Sequence, residues 1–133
     1  MVDPIETVLA FVAKINDHDP DGLVALTTDD HVFVDSLGNQ LRGRDKMRAG
    51  WQSYFKMCPD YRVSHEEIFR NGATVAVFGF AGGTISVQGK LSDENRWQIP
   101  AAWMVSVRDG RVSEWRVYAD NKPVYDILNR MKH

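Results

Sequence analysis

The chain of 133 residues carries 16 basic and 18 acidic side chains, a formal net charge of -2, with 44% apolar and 26% charged residues. That is the size and balance of one globular domain, 1–133, with a core of its own, and it lacks the basic footprint of a nucleic-acid binder. The lone Cys58 cannot close an internal disulfide, M-V-D-P-I-E-T has neither the basic nor the apolar region of a secretory signal, and no apolar run approaches the roughly 20 residues of a membrane span, so a cytoplasmic protein without membrane partners is expected.

Ile5, Val8, Leu9, Val12 and Ile15 recur at helical spacing behind Asp3 and Pro4, an N-cap and a first-turn proline. Phe11 lies beside this stripe. D-P-D-G-L-V-A-L predicts a short second helix capped by Asp19. H-V-F-V-D-S-L-G, from His31 to Gly38, then reads as a strand that pairs with Q-L-R across the Gly38-Asn39 turn. From Gly43 to Pro59 the period is again helical, with Met47, Gly50, Trp51, Tyr54, Phe55 and Cys58 on one side. Four long strands follow: Y-R-V-S-H-E-E-I-F, T-V-A-V-F-G-F-A-G-G-T-I-S, R-W-Q-I-P-A-A-W-M-V-S-V and R-V-S-E-W-R-V-Y-A. Asn71-Gly72, the polar loop Gly89 to Asn95, and Asp109-Gly110 separate them. A last helix after Pro123 has Val124, Ile127, Leu128 and Met131 in phase.

Helices early and an antiparallel meander late predict an α+β fold, a curved sheet with helices over one face. Interior glycines Gly79, Gly82 and Gly83 suit a strongly bent sheet, and a bent sheet closed by helices encloses an apolar pocket. Both faces of the strand from Arg96 to Val107 are apolar, yet helices cover only one. A second copy of the sheet is the simplest partner for the other, so a homodimer through the outer sheet face is expected.

Asp35 is the leading candidate for chemistry. Strand period puts it on the face of Phe33 and Leu37, a carboxylate among apolar neighbours. In a pocket it could remove a proton beside a carbonyl and return it elsewhere, whereas at a strand end it would bond the Gly38-Asn39 turn or a helix terminus. His65 shares its strand face with Tyr61, Val63 and Phe69, which makes it a proton-shuttle candidate or a hydrogen-bonded structural histidine. Alternation through Trp115, Val117 and Ala119 turns Asp120 to the opposite face, where it can cap the last helix; a pocket position needs the strand to bulge or end there. Trp51, Tyr54, Trp103 and Met104 supply aromatic and apolar surface for core and pocket lining. His18, His31, His65 and Cys58 show no metal-ligand spacing, so no metal is expected.

I-N-D-H-D, D-G-L-V-A-L-T-T-D-D, H-V-F-V-D, L-R-G-R-D, C-P-D-Y-R and V-R-D-G-R-V-S-E-W-R-V-Y-A-D, in this order and spacing, resemble the SnoaL-like and ketosteroid-isomerase-like proteins of the nuclear transport factor 2-like superfamily. The resemblance covers essentially the whole length. It implies a cone-shaped α+β barrel, a homodimer, and a cofactor-free active site with an aspartate base that falls on Asp35. In ketosteroid isomerases the oxyanion hole is a tyrosine and a protonated aspartate. The matching positions here are Phe11 and Ala102, which cannot donate, so the resemblance gives them a place in the ligand site without the donor role. W-R-V-Y-A-D resembles the end of limonene epoxide hydrolase and sets Asp120 on its water-activating aspartate, but V-F-G-F-A-G lacks the charged partners of that enzyme.

Three functions follow as expectations. The first is binding of a small hydrophobic ligand with isomerase- or cyclase-type proton transfer by Asp35, His65 assisting and Phe11, Phe33, Trp51, Tyr54, Ala102 and Met104 around the ligand. The second is ligand binding or protein interaction without chemistry. The third is water activation by Asp120 in the manner of an epoxide hydrolase.

Overall fold

The computed structural model describes residues 2–132; Met1 and His133, the ends of the expected domain, lie outside the described residues. The elements run α1 (Pro4–Asn16), α2 (Pro20–Ala25), β1 (Thr27–Val34), β2 (Gln40–Arg42), α3 (Arg44–Met57), β3 (Arg62–Asn71), β4 (Thr74–Thr84), a 3₁₀ turn (Asp93–Asn95), β5 (Arg96–Arg108), β6 (Arg111–Ala119) and α4 (Lys122–Met131). Local chemistry sets the helix starts. Asp3 accepts the Ile5 amide and Asp19 the Gly22 amide, each followed by a proline whose missing N–H costs the first turn nothing. The third helix stops at Met57, two residues before Pro59, which could not have continued it.

One sheet of six strands carries the order β2-β1-β6-β5-β4-β3. The meander from β3 to β6 is antiparallel as expected, but β1 lies parallel to β6, with Phe33 opposite Trp115. The sheet is therefore mixed. It is also open: β2 and β3 are its two edges, so the cone is a curled sheet closed by helices and is not a barrel. The inward faces of β4 and β5 (Val75, Val77 and Ala81; Trp97, Ile99, Trp103 and Val105) pack with Val8, Phe11 and Ile15 of α1 into one core. None of the described helices is long and apolar enough to cross a membrane.

Two local departures move residues from their expected faces. The first strand starts at Thr27 and ends at Val34, so Asp35 stands one residue beyond it. Its carboxylate collects the amides of Leu37 and Asn39 at 2.9 Å each, while the Asp35 amide donates to the Asn39 carbonyl at 2.9 Å, and this turn ends the strand. Leu37 consequently points to solvent. In β3 the register slips between His65 and Glu67, a β-bulge that inserts Glu66. Tyr61 and Val63 before it face the core; after it the parity inverts, Ile68 turns inward and Phe69 outward. At the bend, a Cβ on Gly79 would run into the Ser64 carbonyl oxygen, so only glycine lets the two backbones meet there.

Candidate functional site

A cavity of about 350 Å³ lies between the inner sheet face and α3 and α4, within the range of small-molecule sites. The void has a cause in the strand register. Ala101 pairs with Ala119, so the row that these neighbouring strands present to the cavity carries nothing larger than a methyl group. Larger side chains surround that shallow row. Met47, Trp51, Tyr54 and Met57 descend from α3 at helical spacing, while Trp97, Ile99 and Trp103 alternate along β5. Trp115 and Val117 of β6 and Val124, Tyr125 and Leu128 of α4 complete the enclosure.

Rings follow one another along the wall. Phe33 meets Trp51 at 5.9 Å between centroids, Trp51 meets Tyr54 at 6.4 Å, Tyr54 meets Tyr61 at 4.7 Å, and Tyr61 meets Trp97 at 6.0 Å. The first three pairs are edge-to-face, the arrangement that aligns a ring's positive edge with its neighbour's negative face.

Tyr61 is fixed from behind. His18 Nε2 donates to its carbonyl at 2.7 Å, which places the proton on that nitrogen, and the His18 ring stacks on Phe55 at 4.3 Å. The Asn16 side chain pairs with both backbone groups of Val63, at 3.0 and 2.8 Å, and Asp60 receives the Thr84 amide and hydroxyl at 2.6 and 2.8 Å. Burial pushes the Tyr61 and Tyr54 phenols far above their ordinary range, with the thiol of Cys58 adding to the same direction, so both stay protonated and can donate. Burial also raises the Cys58 thiol to about 11, against the opposing pull of the Trp97 indole N–H beside it. That N–H lies near the sulfur, a weak acceptor, without reaching hydrogen-bond geometry, and it is sealed in the core.

Asp35 is the sole charged side chain among the described residues that line the cavity. Its Oδ1 takes the two turn amides and its Oδ2 the Asn39 side-chain amide at 3.2 Å. Next to it, Asn121 Nδ2 donates to Ser36 Oγ at 2.7 Å, which ties the end of β1 to the start of α4.

The fold thus gathers Asp35, Phe33, Trp51 and Tyr54 around one space. The other expected site residues lie elsewhere. Phe11 is fully buried in the core against Trp115, with ring centroids 4.7 Å apart, and lines no part of the cavity. Ala102 and Met104 alternate outward on β5, opposite Ala101 and Trp103, and belong to the outer sheet face. His65 is exposed at the bulge, so it does not share the inward face of Tyr61 and Val63. Asp120 is exposed and accepts the Lys122 amide at 2.9 Å, a bond to the start of α4. Tyr61, absent from the sequence-derived site, is brought in by the alternation of Tyr61 and Val63 that ends at the bulge.

An open, curled sheet with helices folded over its concave side and an apolar cavity between them defines the cone-shaped α+β class to which nuclear transport factor 2-like and ketosteroid-isomerase-like proteins belong. Among solved structures of that class, a protein with a ketosteroid isomerase-like fold from Catenulispora acidiphila, crystallised with trimethylamine, superposes with a TM-score of 0.81 at 21% identity over 93% of this chain and 92% of that one. A Shewanella denitrificans protein assigned as a SnoaL-like polyketide cyclase gives 0.82 at 19% identity, covering 96% and 97%. An LEH-like epoxide hydrolase from M. tuberculosis gives 0.77 at 24% identity, covering 96% and 90%. Likeness at this level of identity shows the fold alone. Residues 8–115 match the SnoaL-like domain, and the chain belongs to that family. No functionally curated protein matches the sequence.

Proposed function

We propose that the cavity binds a small hydrophobic ligand and that Asp35 is its proton-transfer base, in a cofactor-independent reaction of the isomerase or cyclase type. The observation that carries this reading is the composition of the cavity: an aromatic and aliphatic wall with one carboxylate at its edge. Such a wall holds a ligand by burial of apolar surface, and a carboxylate within reach can exchange a proton on the carbon next to a carbonyl. A second reading, binding without chemistry, is favoured by the three hydrogen bonds that Asp35 already accepts from its own turn. Water activation by Asp120 has less support, because that carboxylate is bonded to the Lys122 amide and lines no part of the cavity.

The test uses 2-acetylnaphthalene, a neutral aromatic ketone with exchangeable methyl protons. Binding is read by thermal shift and by quenching of the cavity tryptophans, and chemistry by deuterium uptake into the methyl group in D₂O. Saturable binding with exchange that is lost in Asp35→Asn supports the enzymatic reading. Binding with no exchange above buffer supports the second reading, and absence of binding by this and a wider panel of apolar ketones and epoxides refutes both.

The outer sheet face supports a homodimer as the working assembly. Phe78, Ala102 and Tyr118 stand in register across three strands, and Phe69 packs its ring 6.0 Å from that of Phe78. Phe69, Phe78 and Tyr118 are each about half exposed, at 58%, 47% and 53%. Apolar area of that kind is removed from water by a second copy. Sedimentation at micromolar concentration is expected to give twice the chain mass, reduced to the chain mass by Phe78→Lys; a monomeric wild type overturns the assembly. The free, buried thiol of Cys58 fits the cytoplasmic location we propose for it.

A further inference from the structure

The polar groups of the cavity wall are few, and two of them are phenols. Tyr54 and Tyr61 both line it, on rings 4.7 Å apart and edge-to-face, and neither hydroxyl has a hydrogen-bond partner among the described residues. Neither oxygen is sealed in the packed interior either, in contrast to the indole N–H of Trp97 beside them. Both oxygens keep some accessible surface, so a ligand or water in the cavity can accept from them. Asp35 already accepts three hydrogen bonds from its own turn, and Ser36 Oγ accepts one from Asn121. Among the described lining residues there is no lysine, arginine or histidine.

We propose that Tyr54 and Tyr61 form the polar subsite of the cavity, donating their hydroxyls to a carbonyl oxygen of a neutral ligand. The assignment rests on the ligand-binding reading above and narrows it to a ligand class. A carboxylate ligand is selected against, because burying its charge needs a cation and the wall offers none, while Asp35 repels it. A hydrocarbon of the same shape is selected against less strongly, since it leaves the two hydroxyls unpaired. The subsite stands on α3 and on the segment between α3 and β3, and His18, Asn16 and Asp60 hold the Tyr61 backbone and its neighbours in place. The backbone that carries Tyr61 is therefore held by contacts outside the cavity, which spares a ligand part of the ordering cost.

Three probes of one outline separate the terms: 2-acetylnaphthalene, 2-isopropenylnaphthalene, in which a methylene replaces the carbonyl oxygen, and 2-naphthoate. Dissociation constants are measured by calorimetry for the wild-type protein, Tyr54→Phe, Tyr61→Phe and the double variant, which lose an oxygen each and keep the rings. The wild type is expected to bind the ketone about tenfold tighter than the hydrocarbon and to bind the carboxylate most weakly. Each single variant is expected to lose about threefold to tenfold for the ketone. The double variant is expected to lose the preference altogether while holding the hydrocarbon within about twofold of its wild-type affinity. Equal binding of ketone and hydrocarbon by the wild type, a preference that survives the double variant, or tightest binding of the carboxylate overturns the subsite and leaves ligand binding standing. Failure of all three probes to bind counts against the ligand-binding reading itself and removes the subsite with it.

Discussion

Replacing Asp35 separates its structural work from any chemistry. In Asp35→Ala the turn loses three accepted hydrogen bonds, to the Leu37 and Asn39 amides at 2.9 Å and to the Asn39 side chain at 3.2 Å. Counted at about 1 kcal/mol apiece they would sum to roughly 3, but the turn is open to solvent and water takes over most of each bond, so the expected loss is about 1 kcal/mol, as for a deleted helix cap. Asp35→Asn keeps a carbonyl oxygen where Oδ1 accepts both amides and forfeits only the bond at Oδ2, so its expected cost is below about 0.5 kcal/mol. For a domain of this size 1 kcal/mol corresponds to about 3–4 °C in Tm. Urea unfolding followed by tryptophan fluorescence measures the difference, with unchanged m-values confirming that only stability has moved. An alanine variant as stable as wild type, or an asparagine variant as weakened as the alanine one, would refute the turn-holding role.

Two other outcomes follow from the core. His31 is fully buried, its Nδ1 donates to the Val112 carbonyl at 2.9 Å, and its Nε2 has no partner among the described residues. Burial lowers its pKa below the usual 6.5, outweighing the same Val112 bond and the charges of Asp30 and Glu114, which pull it up. The unfolded chain then binds a proton that the folded chain refuses. Stability is therefore full above the unfolded pKa and declines as pH falls below about 6.5 towards the lower folded value. His31→Asn, whose amide can take over the Nδ1 bond, should flatten urea midpoints compared from pH 8 to pH 5; an unaltered slope counts against His31 as the source. Gly79→Ala forces a methyl onto the Ser64 carbonyl oxygen, and its cost is expected at or above the upper end of the roughly 1–3 kcal/mol of overpacking. A thermal melt within 2 °C of wild type would show that β3 can shift away freely.

The helices and the meander were readable because their signals are local. Asp3-Pro4, Asp19-Pro20 and Pro59 mark helix ends by backbone chemistry alone, and the two-residue turns Gly72 and Gly110 belong to are set by positive φ of 62° and 74°. The misplaced residues all depend on something that period cannot report. A strict alternation carries His65 inward with Tyr61 and Val63, but one inserted residue at the bulge exposes it and sends Phe69 outward. Strand period puts Asp35 on the face of Phe33, but the turn that ends β1 uses the Asp35 side chain itself, the strand-end alternative. Likeness to a ligand site built differently puts Phe11 and Ala102 beside the ligand; here Phe11 packs against Trp115, and Ala102 shares the outer face with Phe78 and Tyr118. The parallel neighbour of β1 was not readable either, because nothing local to Phe33 announces Trp115 as its partner.

The parallel β1–β6 pair imposes an order on assembly. Strands β3 and β4, and β5 and β6, are joined by two-residue turns, with a longer loop between β4 and β5, so strands adjacent in sequence pair in turn. The first strand has one local partner, β2, and its other neighbour is β6. His31 reaches its carbonyl partner Val112 across 81 positions, so β1, although made early, cannot pair on that side until the last strand exists. On a ribosome, that edge of β1 waits for most of the chain to be synthesised. Closure of the long loop between β1 and β6 is the step expected to govern the folding rate, and the cavity, whose wall includes both Phe33 and Trp115, comes into being only when it is complete.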